Sequence, residues 1–197
     1  MFKILLKFLS AIIVIIVLLI SYLSYFGIET KRFNKLIQEE ISKKNNNVSA
    51  EFDKIKILLK LPNFSINLKI PEVVFNYENK KISLQNISTN YSLILFLKKK
   101  YGLENVSIAT KKNSLNEIIN FIRVYKNTPQ LIILEKMLKA GTIEANLEFD
   151  FDKEGKVKDN YKILGSITNA KIQLFNKQVI SDIDFNFDIQ KELYKIK

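Results

Sequence analysis

An uncharged run of 19 residues, FLSAIIVIIVLLISYLSYF from Phe8 to Phe26, constrains the fold of this chain more than any other feature. A helix needs about 20 predominantly apolar residues to cross the hydrocarbon core of a bilayer. Two lysines precede the run, and two tyrosines near its end lie where interfacial aromatic residues are common. A cleavable signal peptide is the alternative, but its apolar region spans only about 7–15 residues and ends in small residues. We therefore predict an uncleaved membrane anchor over residues 1–27.

The excess of positive charge comes almost entirely from lysine. The chain has 31 basic and 20 acidic residues, a formal net charge of +11, and its arginines are Arg32 and Arg123. Nucleic-acid binders cluster their charge and use arginine for bidentate contacts, whereas these lysines are spread along the chain, as AT-rich codon usage would produce. We therefore predict no nucleic-acid partner. Lysines on both sides of the apolar run leave its orientation open by charge, and the short amino-terminal stub favours an exported body.

The chain contains no His and no Cys, which removes the commonest general base, metal ligand and thiol nucleophile. Its clustered acids, such as Asp150 with Asp152 and Asp182 with Asp184, lie at even spacing on the polar side of predicted strands. The glycines are isolated, so no phosphate-binding loop is present. We expect a protein that is not an enzyme, with no catalytic residues, no metal site and no cofactor.

Most of the chain after residue 47 alternates between apolar and polar residues, the pattern of strands with one wet face. The clearest case runs from Ile143 to Phe151, where the odd-numbered residues are apolar and the even-numbered residues are polar. A change of parity between Leu84 and Ile87 predicts a bulge. The predicted strands cover residues 50–60, 65–70, 72–77, 82–96, 103–110, 141–152, 161–168, 170–175 and 182–189.

Two regions have helical periodicity instead. Between residues 28 and 47, four apolar residues recur at spacings of three, one and four, with Thr30 as the expected N-cap. This amphipathic helix lies either at the membrane surface or against its own domain. Near residues 114–140, Ser114 is expected to cap one helix and Pro129 to begin another. The apolar sides of these two helices are expected to pack on the sheet.

Together these elements predict an α+β, mainly β fold. An anchor and a juxtamembrane helix precede a curved, groove-like antiparallel sheet over residues 48–197. Eight or nine strands at about 4.8 Å spacing present more apolar surface than two helices about 10 Å wide can cover. The apolar face is therefore either a core closed by curvature and partners or a groove that holds acyl chains. The lipid-groove candidates are Ile66, Leu68, Ile70, Leu93, Leu95, Ile143, Leu147, Phe149, Ile183, Phe185 and Phe187.

The order of these elements resembles the amino-terminal region of AsmA-like proteins, including relatives described as TamB-like and YhdP-like. The resemblance rests on SINLKIPEVVFNYENKKISLQNISTNYSLILFLKKKYGLENVSIAT at residues 65–110 and on the helix start SLNEIINFI at residues 114–122. The strands over residues 141–172 are similar to the repeated strands of the same group. The resemblance implies an anchor in the inner membrane and a periplasmic β-groove with an apolar interior.

The function that the resemblance implies is phospholipid transport to the outer membrane, or homeostasis of that membrane. Its partners would be phospholipid and the inner membrane, together with other envelope proteins if the protein works as part of an assembly. Two alternatives stay open: a scaffold for assembly of outer-membrane proteins through exposed strand edges, and a lipopolysaccharide-export component similar to LptC. A sheet of eight or nine strands is only about 40 Å across, so we expect a longer protein or additional partners to bridge two membranes.

Overall fold

The first element of the computed structural model is a long apolar helix, α1 (Phe2–Tyr25). Within it, residues Lys7–Tyr25 are long and apolar enough to cross a membrane, and they are not buried against the rest of the chain. The predicted anchor thus coincides with a helix that can span a bilayer. The structure describes residues 2–44, 47–78, 80–100, 102–125, 127–191 and 193–196.

A single antiparallel sheet forms most of the remaining described chain. Its central path runs β1-β3-β4-β5-β6-β8-β9-β10-β11, while β2 pairs with β4 and β7 pairs with β8. The sheet is open, so β1 and β11 are its edges. The strands are β1 (Ile28–Thr30), β2 (Val48–Glu51), β3 (Ile55–Lys60), β4 (Ser65–Tyr77), β5 (Lys80–Ser92), β6 (Leu103–Thr110), β7 (Asn113–Ser114), β8 (Leu138–Asp150), β9 (Lys162–Gln173), β10 (Val179–Gln190) and β11 (Leu193–Ile196).

In the part of the chain that the structure describes, four further helices accompany the sheet. They are α2 (Asn34–Lys44), α3 (Leu93–Leu97), α4 (Leu115–Tyr125) and α5 (Pro129–Met137). The prediction of an α+β, mainly antiparallel fold that follows an apolar helix is therefore confirmed in its coarse form.

Bulges account for most differences between predicted and observed strands. The segments 65–70 and 72–77 form the single strand β4, in which the apolar residues change from even to odd positions between Ile70 and Val73, where Glu72 has a positive φ of 50°. Asn169, with a φ of 53°, lies likewise inside β9, which joins the predicted segments 161–168 and 170–175. The predicted bulge in β5 is confirmed, since its register against β6 shifts between Leu84 and Asn86.

The predicted strand over residues 50–60 is wrong, because it is two strands. They pair with opposite halves of β4: β2 lies against Val74–Tyr77 and β3 against Ser65–Lys69. The two strands keep the same register against β4, but no pairs form opposite residues 70–73, where Glu72 has a positive φ of 50°. The chain therefore breaks at residues 52–54.

The predicted strand over residues 82–96 is also wrong at its end. Strand β5 stops at Ser92, whose Oγ accepts a hydrogen bond from the Leu95 backbone N–H at 3.4 Å and caps α3. The Leu93 N–H donates to the Phe64 carbonyl at 3.0 Å. Leu93 and Leu95 consequently lie on a short helix and not on the sheet.

Helix starts were predicted with mixed success. Thr30 is not an N-cap, because it pairs with Ile55 at the end of β1, and α2 begins four residues later. Ser114 directly precedes α4, and its backbone N–H donates to Glu117 Oε2 at 3.2 Å, while a cap by the Ser114 hydroxyl stays a prediction. Pro129 opens α5, as predicted, with Thr128 as its N-cap.

Two clusters of buried side chains join the helices to the sheet. Leu115 and Ile119 of α4 pack with Leu138 and Ala170, and Ile183 lies against this cluster. A second cluster consists of Ala50, Val73 and Leu84, and Ile41 of α2 packs against it. Helix α2 therefore packs on its own domain, one of the two predicted alternatives.

Candidate apolar binding site

The register of the sheet brings apolar side chains from six strands into one row. Residues directly opposite each other in an antiparallel pair point to the same face. Following these pairs from β4 to β10 gives a row without a polar member. The row is Ile70, Ile87, Ile108, Leu147, Ile163 and Ile189. We call the sheet surface that contains this row the apolar face.

Nine of the eleven groove candidates lie on the apolar face. Its neighbouring rows contain Leu68 with Phe149, and Ile143 with Phe185, linked through their strand partners. The other members are Ile66, Ile70, Leu147, Ile183 and Phe187. Leu93 and Leu95 are the exceptions, since they belong to α3.

A pocket of about 730 Å³ lies between the apolar face and α4. Strands β4, β5, β6, β8, β9 and β10 form its floor, and Ile118, Phe121 and Ile122 of α4 form a wall. From the sheet, it is lined by Phe75, Ile82, Leu84, Ile108, Thr110, Ile143, Ala145, Leu147, Ile163, Ile167, Phe185, Phe187 and Ile189.

The surface of the pocket consists of apolar atoms. Thr110 is the one residue with a polar side chain in its lining, and Thr110 Oγ1 accepts a hydrogen bond from the Ala145 N–H at 2.8 Å. That hydroxyl is therefore engaged with the neighbouring strand. Such a lining can bind by burial of apolar surface but supplies no group for acid, base or nucleophilic chemistry.

A glycine leaves room for an aromatic ring on the pocket floor. Gly165 is the register partner of both Phe187 and Ala145. A Cβ atom at Gly165 would come within 2.3 Å of Phe187 Cζ and 2.6 Å of the Glu144 carbonyl oxygen. The missing side chain thus creates the space that the Phe187 ring occupies across β9.

The pocket contains four of the predicted candidates: Ile143, Leu147, Phe185 and Phe187. Ile66, Leu68 and Phe149 lie on the apolar face outside it, while Ile70 and Ile183 pack against the two buried clusters. The prediction missed Ile108, Ile163 and Ile189, although each has the apolar parity of a predicted strand. The α4 residues could not have been identified in this way, because their place in the wall depends on how the helix docks.

The opposite face of the sheet is polar and carries a ladder of asparagine side chains. Asn67 Nδ2 donates to Asn90 Oδ1 at 2.8 Å, and Asn90 Nδ2 donates to Asn105 Oδ1 at 3.1 Å. Asp150, the register partner of Asn105, accepts from Asn160 Nδ2 at 2.6 Å. These bonds fix the register of the strands, and with it the alignment of the apolar rows on the other side.

A second, polar recess lies at the end of the sheet, where the β8–β9 loop meets Asn63 and Leu95. The backbone N–H groups of Lys156 and Glu154 donate to Asp152 Oδ1 at 2.9 and 2.8 Å, and they lower the pKa of this carboxyl. These bonds close a local turn. Among the described residues, no group of His, Cys, Asp and Glu is arranged to hold a metal ion.

Comparison with known proteins adds no family to this geometry: no family model, curated protein or solved structure matches the chain.

Proposed function

We propose that this protein is a membrane-anchored lipid-handling protein whose apolar pocket binds the acyl chains of a phospholipid. The observation that carries the proposal is the pocket of about 730 Å³ with its apolar lining, in a chain that also has a helix able to span a membrane. Its volume falls in the range of about 300–1,000 Å³ that is common for ligand pockets.

The dimensions of the pocket suit a hydrocarbon chain. Its floor crosses six strands, which at about 4.8 Å per strand corresponds to about 24 Å. An acyl chain spans about 15 Å, half of the roughly 30 Å hydrocarbon core. Each buried methylene contributes about 0.8 kcal/mol, so about eight of them would contribute about 6 kcal/mol. A single acyl chain is therefore a sufficient ligand.

The apolar face also continues from the pocket towards the anchor. Beyond the pocket, the next row is half-buried and consists of Leu68, Thr89, Val106 and Phe149; the Thr89 hydroxyl donates to the Asn105 carbonyl at 2.7 Å. Ile57 of β3 extends this row to the strand that contacts α1. A lipid moving along this face would stay in contact with apolar side chains. Its headgroup would remain at the open side of the sheet.

These features, with the resemblance to AsmA-like proteins, support a place in the cell envelope. In this proposal α1 is a single-pass anchor in the inner membrane and the sheet is a periplasmic β-groove. The protein takes part in phospholipid transport to the outer membrane or in homeostasis of that membrane. It acts as a conduit and not as an enzyme.

Site-specific photocrosslinking tests this proposal in cells. A photoreactive amino acid at Phe185 faces the pocket, whereas one at Asn186 lies next to it on the exposed polar face. We expect phospholipid adducts from position 185 and none from position 186. Protein adducts at position 185 would favour the envelope scaffold, and lipopolysaccharide adducts the export component.

A charged substitution provides the second test. Leu147→Asp places a carboxylate on the pocket floor, and Asn146→Asp places one on the exposed polar face of the same strand. Lipid extraction and mass spectrometry of the purified full chain should show phospholipid with the wild type and with Asn146→Asp, but not with Leu147→Asp. Circular dichroism verifies that each variant is folded. A folded Leu147→Asp protein that retains its lipid would refute pocket binding.

A further inference from the structure

One end of the sheet carries exposed apolar side chains on two adjacent connections. The β3–β4 turn contributes Leu61 and Phe64, and α3 contributes Ile94, Phe96 and Leu97, the last of which is 80% exposed. The two connections are joined, since the Leu93 N–H donates to the Phe64 carbonyl at 3.0 Å. We call residues 61–64 and 93–97 the apolar tip.

Lysines surround the apolar tip. Lys60 precedes the β3–β4 turn, and Lys98, Lys99 and Lys100 follow α3; all four are exposed. No acidic residue occurs within residues 54–71 or 79–103. Within the described part of the chain, no salt bridge includes any of these four lysines. On one side the tip adjoins the polar recess, where Glu104, Asp150, Asp152 and Glu154 lie with Lys153 and Lys158. The positive charge of the tip is therefore confined to the lysines next to residues 61–64 and 93–97 themselves.

The carboxyl end of α1 lies at the same end of the sheet. Ile28 pairs with Ile57 in an antiparallel register, so the chain leads back from β1 to α1 along the second half of β3. A Cβ atom at Gly27 would come within 2.5 Å of the Ile57 carbonyl oxygen and 2.9 Å of Leu58 Cγ. The last strand residue, Lys60, then enters the tip. Helix α3 follows β5, two strands away, or about 10 Å.

Aromatic side chains at the end of α1 occur at the level of the tip. Tyr22 and Phe26 stack with ring centroids 5.4 Å apart, and Tyr25 and Phe26 are exposed. Tyrosines are enriched where a spanning helix leaves the hydrocarbon for the headgroup region. A bilayer that holds α1 would therefore have its headgroup layer beside the apolar tip.

We propose that the apolar tip is a second membrane contact, which inserts into the headgroup region of the same bilayer that α1 spans and is held there by anionic phospholipid. Apolar side chains flanked by lysines bind such surfaces by inserting about 5–10 Å, and the lysines add electrostatic attraction. The contact would hold the end of the apolar face against the membrane. This inference rests on the anchor part of the proposed function but not on lipid binding in the pocket.

The absence of cysteine from the chain makes a labelling experiment specific. A single cysteine at Leu97 places an environment-sensitive fluorophore on the tip. A cysteine at Phe175, which is 83% exposed in the β9–β10 turn at the other end of the sheet, is the matched control. A third, at Leu18 in α1, reports on the anchor. The full chain is reconstituted into phosphatidylcholine vesicles with roughly one third phosphatidylglycerol, and doxyl-labelled lipid serves as the quencher.

We expect quenching at positions 18 and 97 and none at position 175. Replacing Lys98, Lys99 and Lys100 by Glu should reduce quenching at position 97, as should salt near 1 M, where the screening length falls to about 3 Å. Quenching at position 18 without quenching at 97 would refute the tip contact alone. An unquenched position 18 would refute the anchor and the tip contact together, whatever the pocket binds.

Discussion

The contact between Gly165 and Phe187 leads to a quantitative prediction about the pocket floor. In Gly165→Ala, the new Cβ would lie 2.3 Å from Phe187 Cζ and 2.6 Å from the Glu144 carbonyl oxygen. The ring can rotate away, but the carbonyl belongs to the paired strand β8 and moves only if the two strands separate. Overpacking of this kind costs about 1–3 kcal/mol. For a domain of this size, each kcal/mol lowers Tm by about 2–4 °C.

A double-mutant cycle with Phe187→Leu separates the two contacts. The shorter leucine removes the ring atom from the clash and leaves the Glu144 carbonyl in place, so the cost of Gly165→Ala should become smaller but not vanish. The measurement is urea unfolding of the full chain, with its anchor in detergent, followed by near-ultraviolet circular dichroism. Ser166→Ala, at the next residue of β9, is the control and should change stability little.

The same substitution should affect lipid content, because a displaced Phe187 ring fills part of the pocket. We expect purified Gly165→Ala to retain less phospholipid than the wild type. Two results would contradict the reasoning: a Gly165→Ala protein as stable as the wild type, or an equal loss of stability with and without Phe187→Leu.

Three further predictions concern the parts that hold the site in place. Ile119→Ala should lower the unfolding free energy by about 2–5 kcal/mol because Ile119 of α4 is buried in the cluster between this helix and the sheet, whereas Ile133→Ala, at an exposed position, should change it little. Asn90→Ala interrupts the asparagine ladder and should cost about 1–3 kcal/mol in the same denaturation assay. The folded state lowers the Asp152 pKa, so its stabilising effect is complete above the ordinary value of 3.8 and is lost as pH falls through the folded pKa. The protection of the Lys156 amide against hydrogen exchange, measured relative to its intrinsic rate at each pH, should therefore fall in acid, and Asp152→Asn should remove that dependence.

Local patterns in the sequence were sufficient to predict much of the fold. The apolar run over residues 8–26 is a property of consecutive residues, and the structure has a helix there. Alternation along the chain identified the apolar side of β8 and β10, because successive side chains of a strand point to opposite faces whatever the strand pairs with. The start of α5 at Pro129 was likewise predictable from local signals.

Tertiary structure decided where the elements end and what they form together. The Leu-rich segment after Ser92 has the composition of a strand, but its contact with the Phe64 carbonyl and the cap by Ser92 make it a helix. The contact with Phe64 is not visible in sequence spacing, because it depends on which strand lies beside β5. The apolar tip exists only because β3, β4 and β5 are neighbours.

The pocket is the clearest example of this division. Alternation assigns Leu147 and Phe185 to apolar strand faces, but it does not say that these faces are the same surface or that α4 stands above it. Strand order and helix docking result from contacts between residues far apart in sequence, and their free energy depends on the whole set of neighbours. The sequence thus determines which side of each strand is apolar, whereas only the assembled sheet leaves a pocket of about 730 Å³ between that side and a helix.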